Sequence, residues 1–255
     1  MIRTTAASLA LGLALLAPTA QADPGHSQVD FSNGTGGWDG IQPHEPVEGW
    51  GTWVDAGAGV GGSAGLHSRV PSSWWAEWRN SSNPAVIGDY TQSGGFTISL
   101  DVRAESIIYL DMLAEVQRDL VLELRDYDNT ANGQPYTSVW TTLGTIGAGM
   151  DWQHFSVTVS NPLSATLPSG WGGAGGEDAD GGPALPAGTS FADVLRGVDE
   201  IVFTTAKPGW FYGFTYFDVT LDNISVSAVP EPSTLLLQAL GIATLAGLVR
   251  RRRRA

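Results

Sequence analysis

The chain has 255 residues, no cysteine, and 13 basic against 26 acidic side chains. Arg3, the arginines at 250–254 and Glu231 lie near the two ends, so residues 23–228 carry 7 basic and 25 acidic side chains, a net charge of −18. That balance excludes nucleic acid as a partner and repels anionic lipid while attracting cations, and the missing thiols exclude disulfide and thiolate chemistry.

The first segment, MIRTTAASLALGLALLAPTAQA, has one cation at Arg3, an apolar run over 6–17 and the small-x-small ending Ala20-Gln21-Ala22. This layout predicts a secretory signal peptide over 1–22, cut between Ala22 and Asp23. The body that remains, 23–228, is long enough for one all-β domain with its own core. Its first strand is expected in VDFSNGTGGW. Two groups of tryptophan follow: Trp38, Trp50 and Trp53, then Trp74, Trp75 and Trp78 beside Arg79 in SSWWAEWRN. Neighbours on a strand point to opposite faces, so at least one of Trp74 and Trp75 is expected to be exposed. Exposed tryptophan stacks on sugar rings and a nearby Arg anchors hydroxyls, which makes Trp74, Trp75, Trp78 and Arg79 the candidate ligand contacts. Core packing is the alternative for each of them.

From residue 96 the pattern has period two. In FTISLDVRA, Phe96, Ile98, Leu100 and Val102 alternate with Thr97, Ser99, Asp101 and Arg103. Similar runs cover 108–116, 120–126, 155–159, 201–205 and 217–226, and 33 glycines with 14 prolines supply turns. Such alternation predicts half-buried strands. One helix is expected in TSFADVLRGVDE, with Ser190 as its cap, Asp193 at the capping-box position, and an apolar stripe of Phe191, Val194, Leu195 and Val198. Strands with one short helix make an all-β, jelly-roll-type β-sandwich. In the closing strand Val219 and Leu221 share one phase and Ile224 and Val226 the other, so a bulge at Asp222-Asn223 is predicted to return both pairs to the core.

The chain ends in VPEPSTLLLQALGIATLAGLVRRRRRA. As a helix, residues 234–249 reach about 24 Å against a hydrocarbon core of about 30 Å, a short span. The terminal arginines hold that end in the cytoplasm and leave the body outside. Pro230 and Pro232 keep the entry extended. Val229, Pro230, Glu231, Pro232 and Ser233, the short apolar segment and the arginine cluster together resemble the PEP-CTERM sorting signal of Gram-negative bacteria. The resemblance implies an exosortase as partner, a membrane-embedded transpeptidase that cuts near Pro-Glu-Pro and passes the protein to the envelope or the extracellular matrix. Residues 229–255 are then a sorting signal whose transmembrane helix anchors the protein in the inner membrane, body outward, until processing.

The body carries a second resemblance. WQHFSVTV, WGGAGGEDADGGPALPAGT, SFADVLRGVDEIVFTT and VTLDNISV, with IGDYTQSGGFTISLDV before them, are similar to the laminin B module and related galactose-binding-like sandwiches over residues 85–227. That likeness implies a structural calcium held by a carboxylate at Asp222 together with Asp30 and Asn33 of the first strand. Ser32 stands where relatives often have a glutamate, which leaves a solvated turn as the alternative. Asp178-Ala179-Asp180-Gly181 begins like a calcium loop, but Thr189 occupies the twelfth position instead of glutamate, and the reading is an acidic loop.

Signals for catalysis are weak. Gly61-Gly62-Ser63-Ala64-Gly65 matches a nucleophile elbow without the flanking strand and helix. His26, His44, His67 and His154 show no metal-ligand spacing. The expected function is a non-catalytic, exported envelope or matrix protein that binds polysaccharide or a surface protein. The alternative is a secreted carbohydrate-active enzyme with the same sorting signal.

Overall fold

The structure, a computed structural model, describes residues 26–41, 48–131 and 133–229. Fifteen strands and one α-helix follow in chain order. They are β1 (His26–Val29), β2 (Asp39–Gly40), β3 (Gly51–Asp55), β4 (Gly65–Ser73), β5 (Glu77–Asn80), β6 (Phe96–Tyr109), β7 (Ala114–Glu115), β8 (Gln117–Asp126), β9 (Thr137–Gly147), β10 (Met150–Val159), β11 (Trp171–Ala174), β12 (Gly176–Glu177), β13 (Pro183–Ala184), α1 (Phe191–Arg196), β14 (Glu200–Thr204) and β15 (Thr215–Ala228). One main sheet runs β10-β6-β15-β4-β3, with β1 on β15 and β7 on β6, the other main sheet runs β11-β9-β8-β14-β5-β2, and β12 pairs with β13 in a separate small ribbon. The two main sheets face each other across one core, so the described residues fold as the expected all-β sandwich, with one short α-helix among them.

The pleat builds that core. Phe96, Ile98, Leu100 and Val102 of β6 and Phe217, Val219 and Leu221 of β15 meet Leu120, Leu122, Leu124, Ile201, Phe203 and Trp78 of the facing sheet, all fully buried. Each large apolar side chain taken from water stabilises by about 1.5–3 kcal/mol. The closing strand carries the predicted bulge. Its register against β6 slips between Asp222 and Ser225, and Asn223 takes a positive φ of 50°. Val219, Leu221, Ile224 and Val226 all face the core as a result. The bulge also divides the neighbours of β15, since β4 pairs with 215–221 and β1 with 224–227.

Two expectations are corrected. The runs 96–104 and 108–116 are not separate strands: β6 continues to Tyr109, and a register shift opposite Asp218–Val219 flips its phase so that Ala104 and Ile107 face inward. A break in alternation within one strand resembles a break between two. The helix is only six residues long, with Ser190 and Asp193 forming the expected capping box. Phe191, Val194 and Leu195 are buried, and Phe191 meets Trp171 edge to face at 5.2 Å.

The molecule has two poles along β15. Its 14 residues run roughly 45 Å from the loop 205–214 to the point where the chain leaves at Val229. β1 starts at this second pole, His26 pairing with Ser227. The expected signal peptide with Ala20, Ala22 and Asp23, and Pro230, Glu231, Pro232, Ser233 and the segment behind them, lie outside the described residues. Among the described residues no helix is long and apolar enough to cross a membrane.

Candidate functional site: an aromatic-walled cleft on the second sheet

Strands β5, β8 and β14 each place charge on the outward phase of the second sheet. Inward-pointing Trp78, Leu124 and Ile201 alternate with outward Glu77, Glu123, Arg125 and Glu200. Outward would ordinarily mean solvated. Here loops cover the face, and Glu123, Arg125 and Glu200 are buried to 3%, 8% and 4% exposure. Arg125 sits at the centre. Its Nε and Nη2 donate to Glu123 Oε2 at 2.9 and 2.7 Å, Nη1 donates to Glu200 Oε2 at 2.9 Å, and Nη2 also approaches Glu77 Oε2 at 3.3 Å. The guanidinium lies 4.6 Å over the ring of Tyr136. Burial works against its charge, yet Glu123, Tyr136 and Glu77 raise its pKa above the ordinary arginine value. Three carboxylates around one cation are satisfied this way, with Ser138 Oγ donating to Glu123 Oε1 at 2.6 Å and Tyr127 OH to Glu200 Oε2 at 2.8 Å. Burial and the bond to Glu200 push the Tyr127 phenol up to about 12. Burial and the nearby Glu123 charge do the same for Tyr136. Both phenols are therefore proton donors at neutral pH.

Glu77, Glu123 and Arg125 of this network floor a cleft of about 250 Å³ walled by Trp75, Tyr136, Lys207 and Trp210. The Lys207 ammonium stands over the rings of Trp210 and Trp140 at 5.2 and 5.5 Å. Beyond the cleft mouth, Trp74 packs against Trp75 at 6.2 Å, Phe211 at 5.0 Å and Phe214 at 5.7 Å. Trp210 and Phe211 remain 66% and 79% exposed.

The sequence candidates divide. Trp74 and Trp75 lie in the bend between β4 and β5, not on a strand, so both are exposed, at 39% and 38%. Trp78 is corrected to a core residue: it is fully buried on the inward phase of β5, with Nε1 donating to Ser68 Oγ at 2.7 Å. Arg79 points outward near Glu77, at 3.8 Å, and is not among the cleft-lining residues. The earlier tryptophans serve structure: Trp38 stacks on Phe203, Trp50 meets Tyr216 edge-on, and Trp53 lies against His67. Sequence reasoning missed Glu77, Glu123, Arg125, Glu200, Lys207 and Trp210. The available signal was a charge on the outward phase of three apolar strands.

The implied calcium set does not fit a hard cation. Asp222 is fully buried, and its oxygens accept from Val60 N at 2.8 Å, Ser63 Oγ at 3.0 Å and its neighbour Asn223 N at 2.7 Å. Asp30 Oδ1 accepts from the Ser32 amide and hydroxyl, and Asn33 donates to Ser32 Oγ. Among the described residues no three His, Asp or Glu side chains are grouped to hold a metal. Ser63 is thereby a loop residue whose hydroxyl anchors on Asp222. The Asp178 carboxylate closes the β12–β13 turn by accepting from Asp180 N and Gly182 N.

On the outer face of the other sheet, Asp218 accepts from His67 Nε2 at 2.6 Å, Arg69 Nε at 2.9 Å and Tyr216 OH at 3.2 Å. Burial would raise its carboxyl, but the His67 and Arg69 bonds win and hold it below the ordinary value.

Similar solved structures include the CBM22-1–GH10 modules of a Clostridium thermocellum endo-1,4-β-D-xylanase, at 12% identity and TM-score 0.43, covering 79% of this chain and 28% of that one. A CBM22-2 xylan-binding domain from Paenibacillus barcinonensis is 13% identical with TM-score 0.42, covering 80% of this chain and 99% of that one. A family 30 carbohydrate-binding module from a Clostridium thermocellum cellulosomal cellulase is 14% identical with TM-score 0.41, covering 81% and 96%. No curated protein sequence matches the chain. Residues 228–254 match the PEP-CTERM protein-sorting motif, so the chain carries that sorting signal where its last strand ends.

Proposed function

We propose that the body is a non-catalytic polysaccharide-binding domain, exported by its signal peptide, held in the inner membrane by its tail, and released to the envelope or matrix by an exosortase. The observation that carries the binding reading is the cleft. Trp75 and Trp210 offer ring-sized apolar faces, and the floor between them carries the Glu77 and Glu123 carboxylates, held by Arg125, and the Tyr136 phenol. Sugars present this combination in reverse, with apolar ring faces and a rim of hydroxyls that both donate and accept. The three glutamates are committed to Arg125, Tyr127 and Ser138, an arrangement that orients a ligand better than it transfers protons.

Purified residues 23–228 are expected to be retarded in native gels containing at least one polysaccharide of a panel of neutral and acidic glycans. Trp75→Ala with Trp210→Ala should abolish retardation while leaving the fold intact. Unchanged mobility across the panel would remove the reading. Release of new reducing ends, lost in Glu77→Gln, would establish the enzyme instead.

A further inference from the structure

The chain leaves the sandwich at a sharply defined point. Val229 N donates to Gly95 O at 2.7 Å, Ala228 pairs with Phe96, and Phe96 pairs on its other side with Val159. From Val229 to the start of the apolar segment at Thr234 the sequence supplies five residues, a reach of at most about 17 Å. The polar headgroup layer is itself about 5–8 Å deep on each side of the hydrocarbon. With the apolar segment in a bilayer, this pole of the body stands at the headgroups.

Its chemistry matches that position. Residues 90–100, 155–171 and 223–229, around the exit, contain no Asp, Glu, Lys or Arg, in a body with 25 acidic and 7 basic side chains. The exposed groups are neutral, among them Ser156, Thr158, Ser160, Asn161, Thr166, Ser169 and Val229, with Leu163 63% exposed. Charge returns at Asp89, whose carboxylate accepts from Thr91 N at 2.8 Å and Gln92 Nε2 at 2.7 Å, and at α1, where Asp193 is paired with Arg196 at 2.9 Å. An acidic surface brought within a Debye length of anionic lipid, about 8 Å at physiological salt, is repelled, and a neutral polar surface is not.

We propose that this exit pole is a lipid-contact face, resting on the phosphate headgroups of the bilayer that holds the tail and directing the aromatic cleft away from the membrane. The inference rests on the tail being membrane-inserted and is independent of what the cleft binds.

The natural chain has no cysteine, so single thiols can be placed at will. Full-length protein carrying a fluorophore at Ser160→Cys, or at Met112→Cys on the far pole, is reconstituted into phosphatidylethanolamine–phosphatidylglycerol vesicles with headgroup quenchers. The label at 160 is expected to lose most of its fluorescence and the label at 112 to keep it. Adding Leu163→Glu, with circular dichroism confirming the fold, should restore fluorescence at 160, and high salt should reverse that restoration. Equal quenching at both poles, or none at 160 in protein that floats with the vesicles, would overturn the face. Failure to float would overturn the membrane premise and the face with it. Quenching at 160 only after a processing transpeptidase is added would reassign the pole to that enzyme.

Discussion

Asp222 and Val60 are joined across 162 residues by an N–H···O bond of 2.8 Å, and the same carboxylate oxygen holds Ser63. One buried side chain on the closing strand thus fixes the loop between β3 and β4. Asp222→Ala leaves those donors unpaired and is expected to cost about 1–3 kcal/mol in urea denaturation of residues 23–228. Calcium or chelator should leave the melting temperature of the native protein unchanged, because a cation would have to displace N–H and O–H donors already in place. A calcium-dependent rise in melting temperature, absent in Asp222→Asn, would reverse that conclusion.

Arg125 is the keystone of the cleft floor. Arg125→Met removes the cation from among Glu77, Glu123 and Glu200, two of them almost wholly buried. The expected loss is about 3–5 kcal/mol, since unpaired buried carboxylates must be solvated or protonated. Denaturation at neutral pH measures it. Replacing Glu123 and Glu200 by Gln in the same variant should recover part of the loss.

Asp218 makes stability depend on acid. Its carboxyl titrates below the ordinary 3.8 in the folded protein, burial opposing and the His67 and Arg69 bonds imposing the shift. A depressed carboxyl contributes stability that is fully present above the unfolded value and is lost as pH falls through the folded one. Asp218→Asn should therefore be less stable at pH 7 by about 1–3 kcal/mol. The gap should close below pH 3.8. Parallel denaturation series at the two acidities read this directly, and a gap independent of pH would assign Asp218 a purely steric role.

Processing is read by intact mass. In cells with an exosortase the mature protein is expected to begin at Asp23 and to end between Pro230 and Ser233, outside the inner membrane. Deleting the exosortase, or replacing Pro230, Glu231 and Pro232 by alanine, should leave the tail to Ala255 in place. The body should fold either way, because its last described backbone bond is at Val229. Full-length protein persisting in exosortase-positive cells would restore a plain membrane anchor.

Local sequence alone determined much of this protein. Period-two alternation is a short-range property of a pleated strand with one buried face, so the sandwich, the capped helix at Ser190 and even the bulge at Asp222-Asn223 were legible from phase. The sorting signal was legible because it is read as linear sequence. What alternation could not convey is which outward positions become covered. Glu123, Arg125 and Glu200 look like solvated face residues until the loops bearing Trp75, Tyr136 and Trp210 close over them. Trp78 and Trp75, three residues apart, separate into core and cleft because one lies on the inward phase of β5 and the other in the bend before it. Asp222 reads as a metal ligand or a turn until the distant amide of Val60 arrives to claim it. Burial and partnership of polar groups depend on contacts between segments far apart in the chain, and those only the tertiary structure decides.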